Sequence, residues 1–183
     1  VGFFGQYRKE KNLDTFLDIY LSCSFPEWVS LLVQGHAIRE EDVDDFKRLQ
    51  EKYSQYPSIT FLDKALNSRE WQQTIAGVDA LIMPYAAPRY RYHGSGMLLT
   101  ALGFYKPVVL TDDISPEILA NYDVGVSFAA GNNEALKDAL QKFVLTFRDK
   151  KAIYQQELER VNSDLAPTKM AEFLMNLAKK QKN

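Results

Sequence analysis

The sequence predicts one α/β domain, a Rossmann-like three-layer sandwich in which a parallel sheet of about six strands is covered by helices on both faces. Short apolar runs alternate along the chain with longer amphipathic segments, as in repeated βα units. Most apolar runs lack alternating polar residues, which is typical of strands buried on both faces of a parallel sheet. The length of 183 residues and the hydrophobic content of 46% suit a single core.

Six segments are predicted to be strands, because each is short and apolar and is bounded by turn-forming residues. The first, VGFFG, ends in Gly5, and the second, VSLLVQG, ends in Gly35. The fourth, DALIMPY, begins at an aspartate and ends in Pro-Tyr. The predicted strands cover residues 1–5, 29–35, 58–62, 79–85, 107–111 and 124–129.

Helices are predicted where apolar residues recur at helical spacing behind a capping residue. Asn12 is expected to cap the first helix, and Asn67 with Glu70 forms a capping-box pattern before the third. Ser115, followed by Pro-Glu, begins another helix, and Pro167 interrupts the helical tail. The apolar stripe of the second helix is predicted from Val43, Phe46, Leu49 and Tyr53.

Composition and charge exclude several classes of function. A net charge of −2 argues against general nucleic-acid binding. The single cysteine, Cys23, cannot form an intramolecular disulfide and favours a reducing, cytoplasmic location. The sequence contains no signal peptide and no apolar run near the roughly 20 residues of a transmembrane helix.

The chain opens in an apolar strand without a methionine, so we expect it to be a piece of a longer protein. Residues 1–150 are predicted to form the Rossmann-like domain. Residues 151–183 are predicted to form C-terminal helices that pack on this domain or on an N-terminal domain of the same protein.

A glycine turn and a basic loop together suggest an anion site. Gly94, Ser95 and Gly96 precede an apolar helix, whose first amides and dipole favour phosphate. Arg8 and Lys11 follow the first strand. Ligands of such sheets bind beyond the carboxyl ends of the strands, so adjacent first and fourth strands would join the two features in a diphosphate pocket. The alternative for the basic loop is a solvated surface turn.

The order of these features resembles the C-terminal, nucleotide-sugar donor-binding domain of GT-B fold glycosyltransferases, group 1 or family 4-like, over residues 1–143. This resemblance implies that the chain is one half of a GT-B fold. It is carried by Gly5, Arg8, Lys11, Gly35, DALIMPY, Ser95-Gly96, Ala101-Leu102, Lys106-Pro107-Val108-Val109 and Pro116-Glu117-Ile118.

The resemblance implies that Arg8 and Lys11 neutralise the donor diphosphate and that Gly5 lets the donor approach the backbone. It places residues 62–64 near the nucleobase, and it implies no cofactor and no metal. The implied donor-binding residues are Gly5, Arg8, Lys11, Gly94, Ser95, Gly96, Met97 and Thr100. Further candidates for sugar or acceptor contacts are Arg89, Arg91, Tyr92 and His93.

One departure from the family pattern concerns two glutamates, whose positions hold Tyr92 and Thr100 in this chain. We expect the donor-binding domain of a hexosyltransferase-like enzyme of polysaccharide biosynthesis, which moves a sugar from a nucleoside diphosphate to a glycan or lipid-linked acceptor. The chain alone should bind donor and transfer nothing, and the whole protein could touch a membrane peripherally. The alternative is a degenerate, non-catalytic domain that binds a nucleotide sugar or a partner. A response-regulator-like domain would need acids after strand one, where this chain is basic.

Overall fold

A computed structural model describes residues 1–86 and 88–180, and over these residues the chain forms six strands and seven α-helices. The strands are β1 (Gly2–Phe3), β2 (Leu31–Gly35), β3 (Ile59–Asp63), β4 (Leu81–Met83), β5 (Val108–Thr111) and β6 (Gly125–Phe128). The helices are α1 (Leu13–Ser22), α2 (Glu40–Tyr53), α3 (Ser68–Ala76), α4 (Gly96–Gly103), α5 (Pro116–Asn121), α6 (Asn133–Asp164) and α7 (Pro167–Lys180). Two short 3-10 helices cover Lys9–Lys11 and Pro88–Arg91.

The strands form one parallel sheet in the order β3-β2-β1-β4-β5-β6. Gly2 of β1 lies opposite Leu32 of β2 on one side and Leu81 of β4 on the other. The chain winds outward from β1 to β3 and then crosses back to β4, so the direction reverses between β1 and β4. The predicted Rossmann-like fold is confirmed, and because β1 and β4 are adjacent, the loops that follow them leave the same edge of the sheet as neighbours.

Phe3, which ends β1, and Phe4, which continues its extended chain, show how the layers are held. Phe3 stacks on Phe16 of α1 with the ring centroids 6.2 Å apart, whereas Phe4 meets the edge of Trp71 of α3 at 5.7 Å. Successive side chains of a strand point to opposite faces, so α1 and α3 cover opposite faces of the sheet. Both phenylalanines are 1% exposed, and burying each ring contributes about 1.5–3 kcal/mol. The predicted three-layer sandwich is therefore confirmed.

The predicted helix starts have mixed outcomes. The capping box before α3 is confirmed, because Asn67 Oδ1 accepts from the amides of Arg69 and Glu70, and Glu70 accepts from the Asn67 amide. Asn12 precedes α1 as expected, but its side chain makes no capping bond. The preceding 3-10 turn leaves Asn12 in the left-handed region, with a φ of 60°. Ser115 also lacks a side-chain cap, although Pro116 does open α5 as predicted.

The predicted apolar stripe of α2 is wrong at one position. Phe46, Leu49 and Tyr53 are buried, but Val43 is 45% exposed and its neighbour Asp42 is buried instead.

The long helix α6 runs without a break through residue 150, and Tyr154, Leu158 and Val161 of its second half are buried in the same core. The division at residue 150 stays a prediction, and residues 181–183 lie outside the described part of the chain. α7 begins at Pro167, where the break was predicted, and it exposes Phe173, Leu174 and Met175. None of the helices, over the residues that the structure describes, is long and apolar enough to span a bilayer.

Candidate functional site

Gly5 is the point where the two predicted halves of the site meet. Its φ is +98°, a conformation that side chains rarely adopt, so the turn after β1 requires glycine. A Cβ at this position would lie 3.0 Å from Lys11 Nζ and 3.6 Å from Met97 Sδ. The Lys11 amine of the basic loop and the Met97 side chain of α4 therefore both adjoin the turn at Gly5. This proximity follows from the pairing of β1 with β4.

Lys11 is a buried cation with spare hydrogen-bonding capacity. It is 8% exposed, and its Nζ donates one long bond of 3.4 Å to the Phe4 carbonyl. The amine also lies 5.6 Å from the ring centroid of Tyr85. Burial, and secondarily the charge of Arg8, lowers the pKa of Lys11 to about 8. At pH 7 the amine is still mostly protonated, and an incoming anion can satisfy its remaining donors.

The Arg8 guanidinium lies in the same loop and is incompletely paired. Its Nη2 donates to Gln6 Oε1 at 3.3 Å, and its Nη1 lies 3.6 Å from Glu10 Oε1. The buried Nε has no hydrogen-bond partner among the described residues. Glu10 also forms an ion pair with Arg89, so one carboxylate joins two arginines from different loops.

The loop after β4 packs on itself and is joined to the basic loop through Glu10, which pairs with Arg89 and accepts from a backbone amide. Tyr85 and Tyr90 pack with centroids 4.6 Å apart, and Arg89 lies over the Tyr90 ring at 5.0 Å. The Ala86 amide donates to the Glu10 carbonyl at 3.3 Å. Arg89 therefore belongs to the cationic cluster of the site.

Arg91, only two residues later, points to a different part of the sheet edge. Its Nε and Nη2 donate to Asp113 Oδ1 at 2.9 and 2.8 Å, which ties it to the segment after β5. The two candidate arginines thus face different surroundings, and only Arg89 joins the cationic cluster.

The N-terminus of α4 presents backbone donors beside this cluster. The buried Ser95 caps the helix, because its Oγ accepts from the Leu98 amide at 3.3 Å. The amides of Gly96 and Met97 donate to no other described residue. A Cβ on Gly94 or Gly96 would meet nothing within 4 Å, so the space beside these two glycines is open. Such a helix start can accept an anion.

Three other predicted contacts are less closely grouped. Thr100 Oγ1 donates within its own helix to the Gly96 carbonyl at 2.8 Å, and Thr100 lines a groove between α3 and α4. Tyr92 is 82% exposed, and His93 is also exposed. The roles of Tyr92 and His93 toward a sugar or an acceptor, and of Thr100 toward the donor, stay predictions.

Sequence reasoning missed two polar residues that organise the site. Gln34 is 4% exposed; its Oε1 accepts from the Gly5 amide at 3.2 Å, and its Nε2 donates to the Lys64 carbonyl at 3.0 Å. It thereby joins the turn after β1 to the segment 62–64. The signal was visible, since Gln34 is the one polar side chain in LLVQG. Glu10 was hidden among the lysines of the basic loop. In the described ranges, no group of three His, Cys, Asp or Glu residues could hold a metal ion.

Known proteins with the same architecture include sugar-transferring enzymes. Residues 1–145 match the family described as glycosyl transferases group 1. The C-terminal domain of the group 1 family protein LpcC from Francisella tularensis is similar, with a TM-score of 0.70 and 22% identity over 90% of this chain and 84% of that one. HepE (Alr3699) from Anabaena, in complex with UDP, has a TM-score of 0.74 and 17% identity over 96% of this chain and 48% of that one.

A plant enzyme has the same fold. The catalytic domain of starch synthase IV from Arabidopsis thaliana, bound to ADP and acarbose, has a TM-score of 0.69 and 13% identity over 98% of this chain and 37% of that one. A comparison with curated proteins finds no match. The chain spans about half the length of HepE and less of the starch synthase domain.

Proposed function

The chain belongs to the group 1 glycosyltransferases, and on that premise we propose that it is the donor-binding domain of an enzyme that moves a sugar from a nucleoside diphosphate to a glycan or lipid-linked acceptor. The observation that carries the proposal is the contact of Gly5 with both Lys11 and Met97. The buried Lys11 amine and the side chain of Met97, in the first turn of α4, thus flank the same turn at the switch point of a parallel sheet, which supports a shared pocket there. HepE, whose fold is similar, is in complex with UDP, which supports a nucleotide as the ligand.

The proposed binding mode uses opposite charge and backbone donors together. Lys11 Nζ and the Gly96 and Met97 amides meet one phosphate group from two sides, and Arg8 contributes the unpartnered donor of its guanidinium. Charge-assisted bonds of this kind are about twice as strong as neutral ones. In a transfer reaction the same groups would stabilise the charge that grows on the departing diphosphate.

The proposal assigns the neutralisation of the diphosphate to fixed cations and the α4 N-terminus, without a metal ion. Added EDTA should therefore leave nucleotide affinity unchanged. A requirement for Mg²⁺ or Mn²⁺ would contradict this part of the proposal.

The proposed partner is an N-terminal domain of the same protein, which would supply the acceptor site. The exposed Phe173, Leu174 and Met175 on α7 support a further contact, because consecutive exposed apolar side chains favour an interaction surface.

The free, buried thiol of Cys23 fits the proposed cytoplasmic location.

The test is a calorimetric titration of the chain with UDP, GDP and ADP, which also identifies the base. The variant Arg8→Ala/Lys11→Ala should weaken the preferred nucleotide at least about 100-fold, since each charged hydrogen bond contributes about 1.5–3 kcal/mol. The matched control Lys47→Ala/Arg148→Ala removes the same charge from exposed positions elsewhere. Equal affinities in the two variants would refute the proposed pocket.

A non-catalytic binding domain is the second candidate, and the replacement of the two expected glutamates by Tyr92 and Thr100 favours it. Sugar transfer by the full-length protein discriminates between the candidates. If the full-length protein binds nucleotide but transfers no sugar over a panel of nucleotide sugars and acceptors, the non-catalytic candidate is supported.

A further inference from the structure

Glu10 occupies an unusual position for an acid, inside a cluster that is otherwise built to hold an anion. Its carboxylate contacts the guanidiniums of Arg8 and Arg89, which come from the loops after β1 and β4. Its Oε1 is shielded from solvent, and its backbone carbonyl accepts from the Ala86 amide. The acid is therefore fixed between the two loops, and its charge acts within the cluster.

The cluster contains four charged side chains: Arg8, Glu10, Lys11 and Arg89. When Lys11 is protonated, they carry three positive charges and one negative charge. Their sum is +2. No other acidic side chain of the described residues forms an ion pair with Arg8 or Arg89. Replacing Glu10 by a neutral residue would raise the sum to +3.

The two nucleotides that such a site would meet differ by one charge. Each phosphate of a nucleoside diphosphate sugar is a diester and carries one charge, so the donor is 2−. The free nucleoside diphosphate ends in a monoester, whose second proton leaves at a pKa of about 6, so the product is close to 3− above pH 7. The cluster charge of +2 therefore balances the 2− charge of the donor, but it does not balance the 3− charge of the product.

We infer that Glu10 is a specificity-determining residue, which disfavours the free nucleoside diphosphate relative to the nucleotide sugar by repelling the extra charge of the product. The inference rests on the proposed donor-binding function. Its consequence for turnover is weaker retention of the product in the site after the sugar has left.

The test measures affinities for UDP and UDP-glucose, with GDP and GDP-mannose as a second pair, in the wild type and in Glu10→Gln. Glutamine keeps the size and an oxygen acceptor for the arginines but removes the charge. UDP should gain about three- to tenfold more affinity than UDP-glucose, the range expected for one extra charge at the edge of a solvated site. Added salt should reduce this difference.

Two further variants separate charge from structure. Glu10→Asp keeps the charge and should retain the wild-type ratio of the two affinities. Glu41→Gln removes an acid that lines the same depression as Arg8 and Glu10 but is 75% exposed and pairs with Arg39. Because solvent screens this charge, the ratio should stay unchanged.

An unchanged ratio in Glu10→Gln, or an equal change in Glu41→Gln, would overturn the inference. Weaker binding of both ligands at a constant ratio would also overturn it, because Glu10 would then only order the loop. If removal of Arg8 and Lys11 leaves nucleotide binding intact, the proposed function itself fails. If the double variant binds nucleotide more weakly but Glu10→Gln leaves the ratio constant, the proposed function stands and only the role of Glu10 is refuted.

Discussion

The affinity of the site for a nucleoside diphosphate should depend on pH through Lys11. Burial and the nearby charge of Arg8 hold the pKa of this lysine at about 8 in the free protein. A bound diphosphate supplies a compensating negative charge and raises that pKa again. Binding is therefore coupled to proton uptake, and affinity must fall as pH rises through the pKa of the free protein.

The size of the effect follows from the protonated fraction. With a pKa of about 8, the amine is about 90% protonated at pH 7 and about 10% protonated at pH 9. UDP affinity should then fall about tenfold over this interval, provided that the pKa in the complex stays above 9. The charge of the diphosphate group itself changes little in this range, because its last proton leaves at a pKa of about 6.

Calorimetric titration with UDP at pH 7, 8 and 9 and constant ionic strength measures this dependence. Lys11→Arg is the matched control, since a guanidinium stays charged throughout the interval, and its affinity for UDP should not vary with pH. A flat profile in the wild type, or the same decline in Lys11→Arg, would refute the role assigned to Lys11.

Three further predictions concern stability. Lys11→Met should raise the free energy of unfolding at pH 7 by up to about 3 kcal/mol, because it removes a buried charge, and it should weaken UDP binding. This gain in stability should shrink between pH 8 and 10.5, because the folded wild-type protein loses the charge of Lys11 in that range. Gly5→Ala should lower the free energy of unfolding by about 1–2 kcal/mol, because it places a side chain at a φ of +98° against Lys11, and it should also weaken UDP binding. Asn67→Ala should lower stability by about 1 kcal/mol through loss of the α3 cap, with UDP affinity unchanged. Urea denaturation of each variant measures these changes, and a wild-type midpoint for any of them would contradict the corresponding contact.

The Rossmann-like fold could be predicted from the sequence because apolar runs alternate with amphipathic segments, and few topologies satisfy the rules for such parallel sheets. Apolar runs identified the strands, and the basic loop after β1 and the glycine turn after β4 were then placed together by the Rossmann order. The contact of Gly5 with Lys11 and Met97 is the physical result. These features depend on local pattern and general topology, which the sequence carries.

Other features depend on tertiary contacts that a single sequence does not disclose. Arg89 and Arg91 are equivalent candidates in the sequence, yet one joins Glu10 and the other Asp113, because residues two positions apart on a 3-10 turn face different directions. The exposure of Val43 was likewise set by the packing of α2 and not by its apolar character. The sequence likewise could not show that Glu10, which stands between two lysines, pairs with Arg8 and Arg89 instead.

The central claim is that a diphosphate binds between the loop after β1 and the first turn of α4. The most direct measurement is a titration of the isotopically labelled chain with UDP, or with GDP or ADP if calorimetry selects another base, followed by the shifts of backbone amide resonances. The largest shifts are predicted at residues 5–11 and 94–97, with little change around Trp28 at the opposite edge of the sheet. Shifts concentrated at that opposite edge, or spread evenly along the chain, would contradict the claim.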